Sequence, residues 1–211
     1  MWQDINWILV LDFAVVAVIA YLLGGINGAI ITSKYFYKKD IRNYGSGNAG
    51  LTNFYRVFGK YGLVLVLAID IMKTVVPVVF AGWLLGRYDM WLEGSVFAGF
   101  FAMLGHAYPV YYGFKGGKAV MAGGTMVWFV DWRVGIIVWV AFAIAVLLTR
   151  HVSLGSVAAG ILYPIAMAVL GVNSTFVLIM VTLSGALLIY RHKDNIKRII
   201  NGTESKFTFR K

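Results

Sequence analysis

The chain has no cysteine. That excludes a disulfide framework, a thiol nucleophile and any cysteine-ligated metal site. Charge is scarce as well: 13% of the 211 residues are Asp, Glu, Lys or Arg, about half the ~25% of an ordinary soluble domain. Acid is scarcest, with 9 Asp and Glu against 19 Lys and Arg and a formal net charge of +10. Three scattered His and few carboxylates make a poor ligand set, so no metal and no cofactor are expected. The first apolar run is preceded by no Lys or Arg and followed by no small-residue cleavage site, so it is expected to stay as a helix. There is no internal repeat, and the lack of internal symmetry tells against an inverted-repeat transporter.

What the chain does have is grease. It is 60% hydrophobic and 16% aromatic, with a mean hydropathy of +0.78, the profile of an integral membrane protein. The length suits a single polytopic membrane domain over 1–211. A spanning helix needs about 20 apolar residues. Seven segments qualify: Trp7–Ser33, Tyr61–Leu85, Gly94–Tyr112, Lys118–Val130, Val134–Thr149, Ser153–Gly171 and Ser174–Tyr190. The fourth and fifth are short and meet at Asp131-Trp132-Arg133. Fusing them would bury two charges at mid-bilayer, so a turn at a membrane surface is expected there. A re-entrant hairpin would leave the parity unchanged.

With the 34–60 loop inside, sixteen Lys and Arg fall on that face. They are Lys34, Lys38, Lys39, Arg42, Arg56 and Lys60, then Lys115, Lys118 and Arg150, then the tail residues Arg191, Lys193, Lys197, Arg198, Lys206, Arg210 and Lys211. Only Arg87 and Arg133 fall outside, and Lys73 lies within a span. The asymmetry follows the positive-inside rule. It predicts an all-α protein of seven transmembrane helices, N-terminus outside and C-terminus cytoplasmic. The basic excess is thereby explained by membrane lipid and an anionic ligand, with no nucleic acid.

Three polar clusters interrupt the apolar chain, and this topology puts them all on the cytoplasmic face. Gly45–Asn53, followed by Arg56, holds glycines that let main-chain N–H groups approach a ligand, with Ser46, Gly47, Asn48, Thr52 and Asn53 and no acid. Arg56 adds a cationic fork suited to phosphate. Phe114–Lys118 places Gly116-Gly117 between Lys115 and Lys118 at the expected start of a helix, where free N–H groups favour anions. It is no Walker A loop, since the G-x-x-x-x-G-K-[ST] spacing is missing. His192 and Asn195 are three apart and share one face of a helix continuing from the last span. Taken alone, the first cluster reads as an anion site or as a capped loop, the second more as a basic turn and the third more as an interfacial helix end. His106, in a span, is a functional candidate or a helix-bridging residue. Asp70 and Lys73, three apart, suit a structural ion pair, and Gly24-x-x-x-Gly28 suits close helix packing.

Taken together, Gly45-Ser46-Gly47-Asn48-Ala49-Gly50-Leu51-Thr52-Asn53, Leu104-Gly105-His106 with Pro109 and Phe114-Lys115-Gly116-Gly117-Lys118, and Tyr190-Arg191-His192 with Asn195 and Gly202-Thr203-Glu204 resemble the bacterial acyl-phosphate:glycerol-3-phosphate acyltransferases. The likeness runs from about Tyr21 to Glu204. It implies a seven-helix enzyme of the cell membrane, its site facing the cytoplasm. Such an enzyme moves a fatty acyl group from acyl phosphate to the C1 hydroxyl of glycerol 3-phosphate. The products are lysophosphatidate and phosphate, in the first acylation step of phospholipid biosynthesis.

The resemblance also assigns roles. Ser46, Arg56, Lys118, His192 and Asn195 would be catalytic. Gly47, Asn48, Thr52, Asn53, Lys115, Gly116, Gly117 and Ser156 would bind substrate phosphate, and Glu204 would be structural. An upstream enzyme making acyl phosphate would be a partner. Leu51 and Ala119 depart from the family's usual Ala and Gly. The proton acceptor stays open between His192 and a substrate phosphate. An acyl-CoA-dependent enzyme would call for H-x-x-x-x-D, yet Tyr111 stands where His106 would need an acid. An anion transporter would need polar groups running through to the outer face.

Overall fold

The computed structural model describes residues 6–208 of the chain, so the tail's Arg210 and Lys211 lie outside the described residues. Every predicted span corresponds to helix. They are α1 (Trp7–Gly25) with α2 (Gly28–Tyr37), α4 (Leu63–Gly86), α5 (Trp91–Ala107), α6 (Val120–Val130), α7 (Trp132–Thr149), α8 (Val152–Val169) and α9 (Thr175–Arg191). Two short helices lie outside the bundle, α3 (Leu51–Phe58) and α10 (Lys193–Ile200). Among the described residues, α1 with α2, α4, α7 and α8 are long and apolar enough to cross a membrane, and α9 with α10 makes a fifth if that bent pair is one span. α5 has 17 residues and α6 has 11. At 1.5 Å per residue α6 is about 16 Å long, half the hydrocarbon thickness.

The outer surface identifies the solvent. Leu147, Leu148 and Val169 are about 80% exposed, and many other large apolar side chains on the outer faces of α1, α4 and α7 are exposed as well. Such a girdle is stable against lipid and costly in water. Inside, small residues let the helices approach. A Cβ on Gly24 would strike the backbone of Ala102 in α5, and one on Gly28 would come 2.6 Å from Val66 O in α4. The Gly24-x-x-x-Gly28 pair therefore packs against two different helices, one residue on each side of a break.

Contacts fix the direction of each helix. Phe13 meets Phe97 while Tyr21 OH donates to Tyr108 O, so α1 and α5 run parallel. Asp12 pairs with Arg87, and Lys73 reaches Ile26, so α4 runs opposite to α1. Gly99 faces Met126 and Gly123 faces Met103, making α5 and α6 antiparallel. Gly135 packs on Trp128, and Trp139 Nε1 donates to Gly124 O at 2.9 Å. α6 and α7 thus double back at Asp131, as the charges there predicted; Asp131 caps α7 and pairs with Arg133 at 2.7 Å. Gly155 against Phe142 and Gly160 against Gly185 continue the alternation through α8 and α9.

Three boundaries differ from expectation. The first span breaks at Ile26-Asn27, where the Asn27 side chain caps α2. The fourth helix starts at Val120, not Lys118, because Ala119 takes a left-handed conformation (φ 59°). And α10 does not continue α9: the pair bends by 54° at His192.

Candidate active site

Because the helices alternate, the three polar clusters reach the same end of the bundle. There they enclose a cavity of about 420 Å³. Ser46, Asn48, Thr52, Asn53, Arg56, Lys118, Ser156, His192, Asn195 and Glu204 all line it. Gly47 and Lys115 do not; both are exposed. Gly116 and Gly117 stand behind the wall rather than in it.

The first loop is shaped by Asn53, which is 2% exposed. Its Nδ2 donates to Tyr44 O and Asn48 O at 3.0 Å, and its Oδ1 accepts from Ser46 N at 2.9 Å. The amide of Asn53 is therefore occupied by the loop it folds, and its effect on a ligand passes through Ser46. Gly45 is required beside it, with φ at 60° and Asn53 Oδ1 where a Cβ would sit. Ile41 and Phe54, both fully buried, anchor the loop from below. Arg56, on α3, donates through Nη2 to Ser205 Oγ at 2.9 Å.

The second turn is held by its own backbone. Gly117 N donates to His106 O at 3.0 Å. Arg191 donates to the carbonyls of Gly117 (3.1 Å) and Gly116 (3.3 Å), with its guanidinium over the Tyr108 ring. This leaves Lys118 pointing inward, its Nζ donating to Asn195 Oδ1. Burial pushes the Lys118 ammonium down to about 8, with Arg198 and Arg191 adding to the fall and Glu204 opposing it. Ala119, where the resemblance expects Gly, pays a small conformational penalty for its left-handed shape.

The third cluster hangs on Glu204. Its Oε1 accepts from Ser153 Oγ (2.7 Å) and Asn195 Nδ2 (2.6 Å), and its Oε2 from Arg198 Nε (2.7 Å). Burial works to raise this carboxyl, but the Asn195, Ser153 and Arg198 hydrogen bonds hold it below its ordinary value. His192 is 2% exposed, with Nδ1 at 2.8 Å from Leu188 O. That contact puts the proton on Nδ1 and leaves Nε2 as an acceptor. Burial, with Lys118 nearby, pushes His192 down to about 4, so it is neutral at pH 7.

Ser153, Arg198 and His106 also line the cavity, and Arg191 holds the turn beside it. Extending the spacing of His192 and Asn195 by three more residues reaches Arg198, and subtracting three from Ser156 reaches Ser153, so helical periodicity held that signal. The opposite wall is apolar, with Val120, Met121, Trp139 and Phe142 between α6, α7 and α8. One cavity thus joins a cationic, donor-rich end to a greasy one.

A multi-helix membrane protein with a cavity at one end that joins cationic, donor-rich groups to apolar ones is the class these features define. Comparison with known proteins carries it further. Residues 14–202 match the family described as glycerol-3-phosphate acyltransferase, and the chain belongs to that family of integral membrane enzymes. The glycerol-3-phosphate acyltransferase of Thermoanaerobacter pseudethanolicus is 41% identical over 190 residues, 90% of this chain and 93% of the relative. That of Macrococcus caseolyticus is 41% identical over 201 residues, 95% of this chain and 100% of the relative. The crystal structure of PlsY (YgiH), an integral membrane glycerol 3-phosphate acyltransferase, superposes in its glycerol 3-phosphate form with a TM-score of 0.82 at 36% identity, covering 93% of this chain and 96% of that one. Its lysophosphatidic acid form gives 0.81 at 34% identity over the same shares.

Proposed function

We propose that this enzyme transfers a fatty acyl group from an acyl phosphate to the C1 hydroxyl of glycerol 3-phosphate, releasing lysophosphatidate and phosphate. It does so as one seven-span domain of the cell membrane, with its N-terminus outside and its C-terminus and cavity on the cytoplasmic side. This is the first acylation of phospholipid biosynthesis, and an enzyme that makes acyl phosphate is the partner the reaction calls for. The observation that carries the reading is the two-sided cavity: Arg56 and Lys118 at one end, Trp139 and Phe142 at the other. A relative solved with glycerol 3-phosphate and with lysophosphatidic acid supports both the acceptor and the product. The orientation is supported by the ion pairs Asp12–Arg87 and Asp131–Arg133, which neutralise both arginines assigned to the outer end.

An acyl phosphate donor suits what the cavity supplies. An acyl phosphate is already activated, so no covalent intermediate is needed. Arg56 and Lys118 offset the repulsion between two phosphates, and positioning with charge stabilisation supplies most of the rate. The C1 oxygen bonds to the acyl carbon, the bond from that carbon to the phosphate oxygen breaks, and the hydroxyl proton must be taken up. Ser46 and Asn195 are the nearby donors for the developing oxyanion. Glu204 is committed to three donors, and His192 at about 4 is a weak base. A phosphate oxygen, with its second ionisation near pH ~6, is the stronger proton acceptor, so the leaving phosphate carries the proton away.

The test is to give purified protein glycerol 3-phosphate with palmitoyl phosphate or with palmitoyl-CoA, and to measure lysophosphatidate and phosphate. Product from the acyl phosphate alone is expected. Product from the CoA ester alone would overturn the donor, and product from neither would overturn the reaction.

A further inference from the structure

Asp70, Lys73 and His106 are buried between 1% and 4% exposure at the foot of the cavity, and the acyl transfer above gives them no part. An ion pair in this position is expensive. Taking both charges out of water costs several kcal/mol each, and a packed apolar pair would hold the helices as well.

Its hydrogen bonds lead in two directions. The Lys73 ammonium donates to Asp70 Oδ1 (2.8 Å), to Ile26 O (2.7 Å) and to His106 Nδ1 (2.6 Å), which uses all three of its protons. Asp70 Oδ1 also accepts from Gly28 N at 3.2 Å. Lysine and aspartate together therefore grip both sides of the break between α1 and α2. Asn27, inside that break and wholly buried, donates through Nδ2 to Ala49 O at 3.0 Å, in the first Gly-rich loop. On the other side, an ammonium can only donate, so His106 Nδ1 accepts and the proton sits on Nε2. That nitrogen lies against Gly117, where a Cβ would collide with it, and His106 O accepts from Gly117 N at 3.0 Å. One ammonium is thus linked to both Gly-rich segments, through Ile26-Asn27 on one side and through His106 on the other.

We propose that Lys73 is a positioning residue for the phosphate of glycerol 3-phosphate. Through Ile26-Asn27 it fixes the Ala49 loop, and through His106 it fixes the Gly116-Gly117 turn, so both sides of the phosphate site keep one spacing. This rests on reading those two segments as the glycerol 3-phosphate site.

The first variant is the double substitution Asp70→Asn with Lys73→Met, which removes both charges and strands neither. Its thermal transition and gel-filtration profile in detergent report folding. In folded protein the KM for glycerol 3-phosphate should rise about tenfold or more, the loss of charge-assisted hydrogen bonds, while kcat and the KM for acyl phosphate move by less than about threefold. An unchanged glycerol 3-phosphate KM in folded protein would overturn the proposal. His106 gives a second, independent reading. His106→Asn keeps an acceptor near the place of Nδ1 and should recover most of the affinity that His106→Leu loses. Recovery by His106→Gln instead, whose amide sits near Nε2, would show that His106 acts on the ligand directly and would overturn positioning. If the double variant does not fold, the His106 series decides. Failure of the underlying site would look different: Lys118→Met would then leave the glycerol 3-phosphate KM untouched.

Discussion

Lys118 should give the enzyme an alkaline limit that an ordinary lysine would not. Burial pushes its ammonium down to about 8, against about 10.4 for a free side chain. Only the charged form attracts phosphate. At pH 7 about 90% of Lys118 is charged on this basis, and at pH 9 about a tenth, whereas an unperturbed lysine would stay about 95% charged at pH 9. The profile of kcat/KM, which reports the free enzyme, should therefore bend near pH 8 and fall about tenfold per unit beyond it. The substrate phosphate completes its second ionisation near pH ~6, so it cannot produce that bend. The sign for stability is opposite. Since the folded value lies below the unfolded one, the unfolded chain binds more protons between pH 8 and about 10.4, and stability contributed by this group rises across that window. Activity would fall while the thermal transition held. Lys118→Arg keeps the charge at every accessible pH and should flatten the limb, at a lower plateau because the fork does not fit the Asn195 contact. Saturation curves in glycerol 3-phosphate from pH 6.5 to 9.5 measure all of this. A wild-type kcat/KM that stays flat to pH 9.5, or an identical limb in the Arg variant, would refute the reasoning.

Gly117→Ala would drive a methyl into His106 Nε2 and to 2.7 Å from Ala49 O; overpacking of that kind costs about 1–3 kcal/mol, so the glycerol 3-phosphate KM should rise by about five- to a hundredfold, and an unchanged KM would remove the turn from the site. Glu204→Ala strands Ser153, Asn195 and Arg198 together. With Arg198 42% exposed, the loss should be about 2 kcal/mol after screening, read as a lower thermal transition; because the folded carboxyl sits below its ordinary value, that contribution is present above about pH 4.3 and disappears as pH falls further. The missing cysteines make topology directly testable. Asn173→Cys should react with an impermeant thiol reagent in intact cells, and Lys39→Cys only after permeabilisation; reaction of both from one side would overturn the seven-span orientation.

The apolar runs were legible because a membrane leaves the backbone few solutions, and a run of about 20 apolar residues can satisfy its N–H and C=O groups only as helix. The turn at Asp131 was legible for the same reason, from the cost of two charges. The breaks were not. At Ile26-Asn27 the local signals, Gly24-Gly25 before it and the Asn27 cap after it, do not by themselves fix an interruption; what holds it is Lys73, 47 residues away, which takes the Ile26 carbonyl. The bend at His192 likewise depends on what surrounds it rather than on a proline or glycine.

The site divides in the same way. The convergence of the clusters could be anticipated from charge and parity, since alternating helices bring every second connection to one end. Which lysine beside Gly116-Gly117 points inward could not, because that depends on the left-handed turns at Phe114 and Ala119 and on the Arg191 clamp contributed by α9. The resemblance named Glu204 as structural, but its donors were out of reach, because one of them, Ser153, lies 51 residues earlier in the chain. Residues that touch a ligand are recognisable by their chemistry, since phosphate asks for cations and free N–H groups. Residues that hold those groups in place are recognisable only by what they touch. Lys73 is such a case: a structural ion pair by sequence, and in the folded chain the node that links the two Gly-rich segments through Ile26-Asn27 and His106.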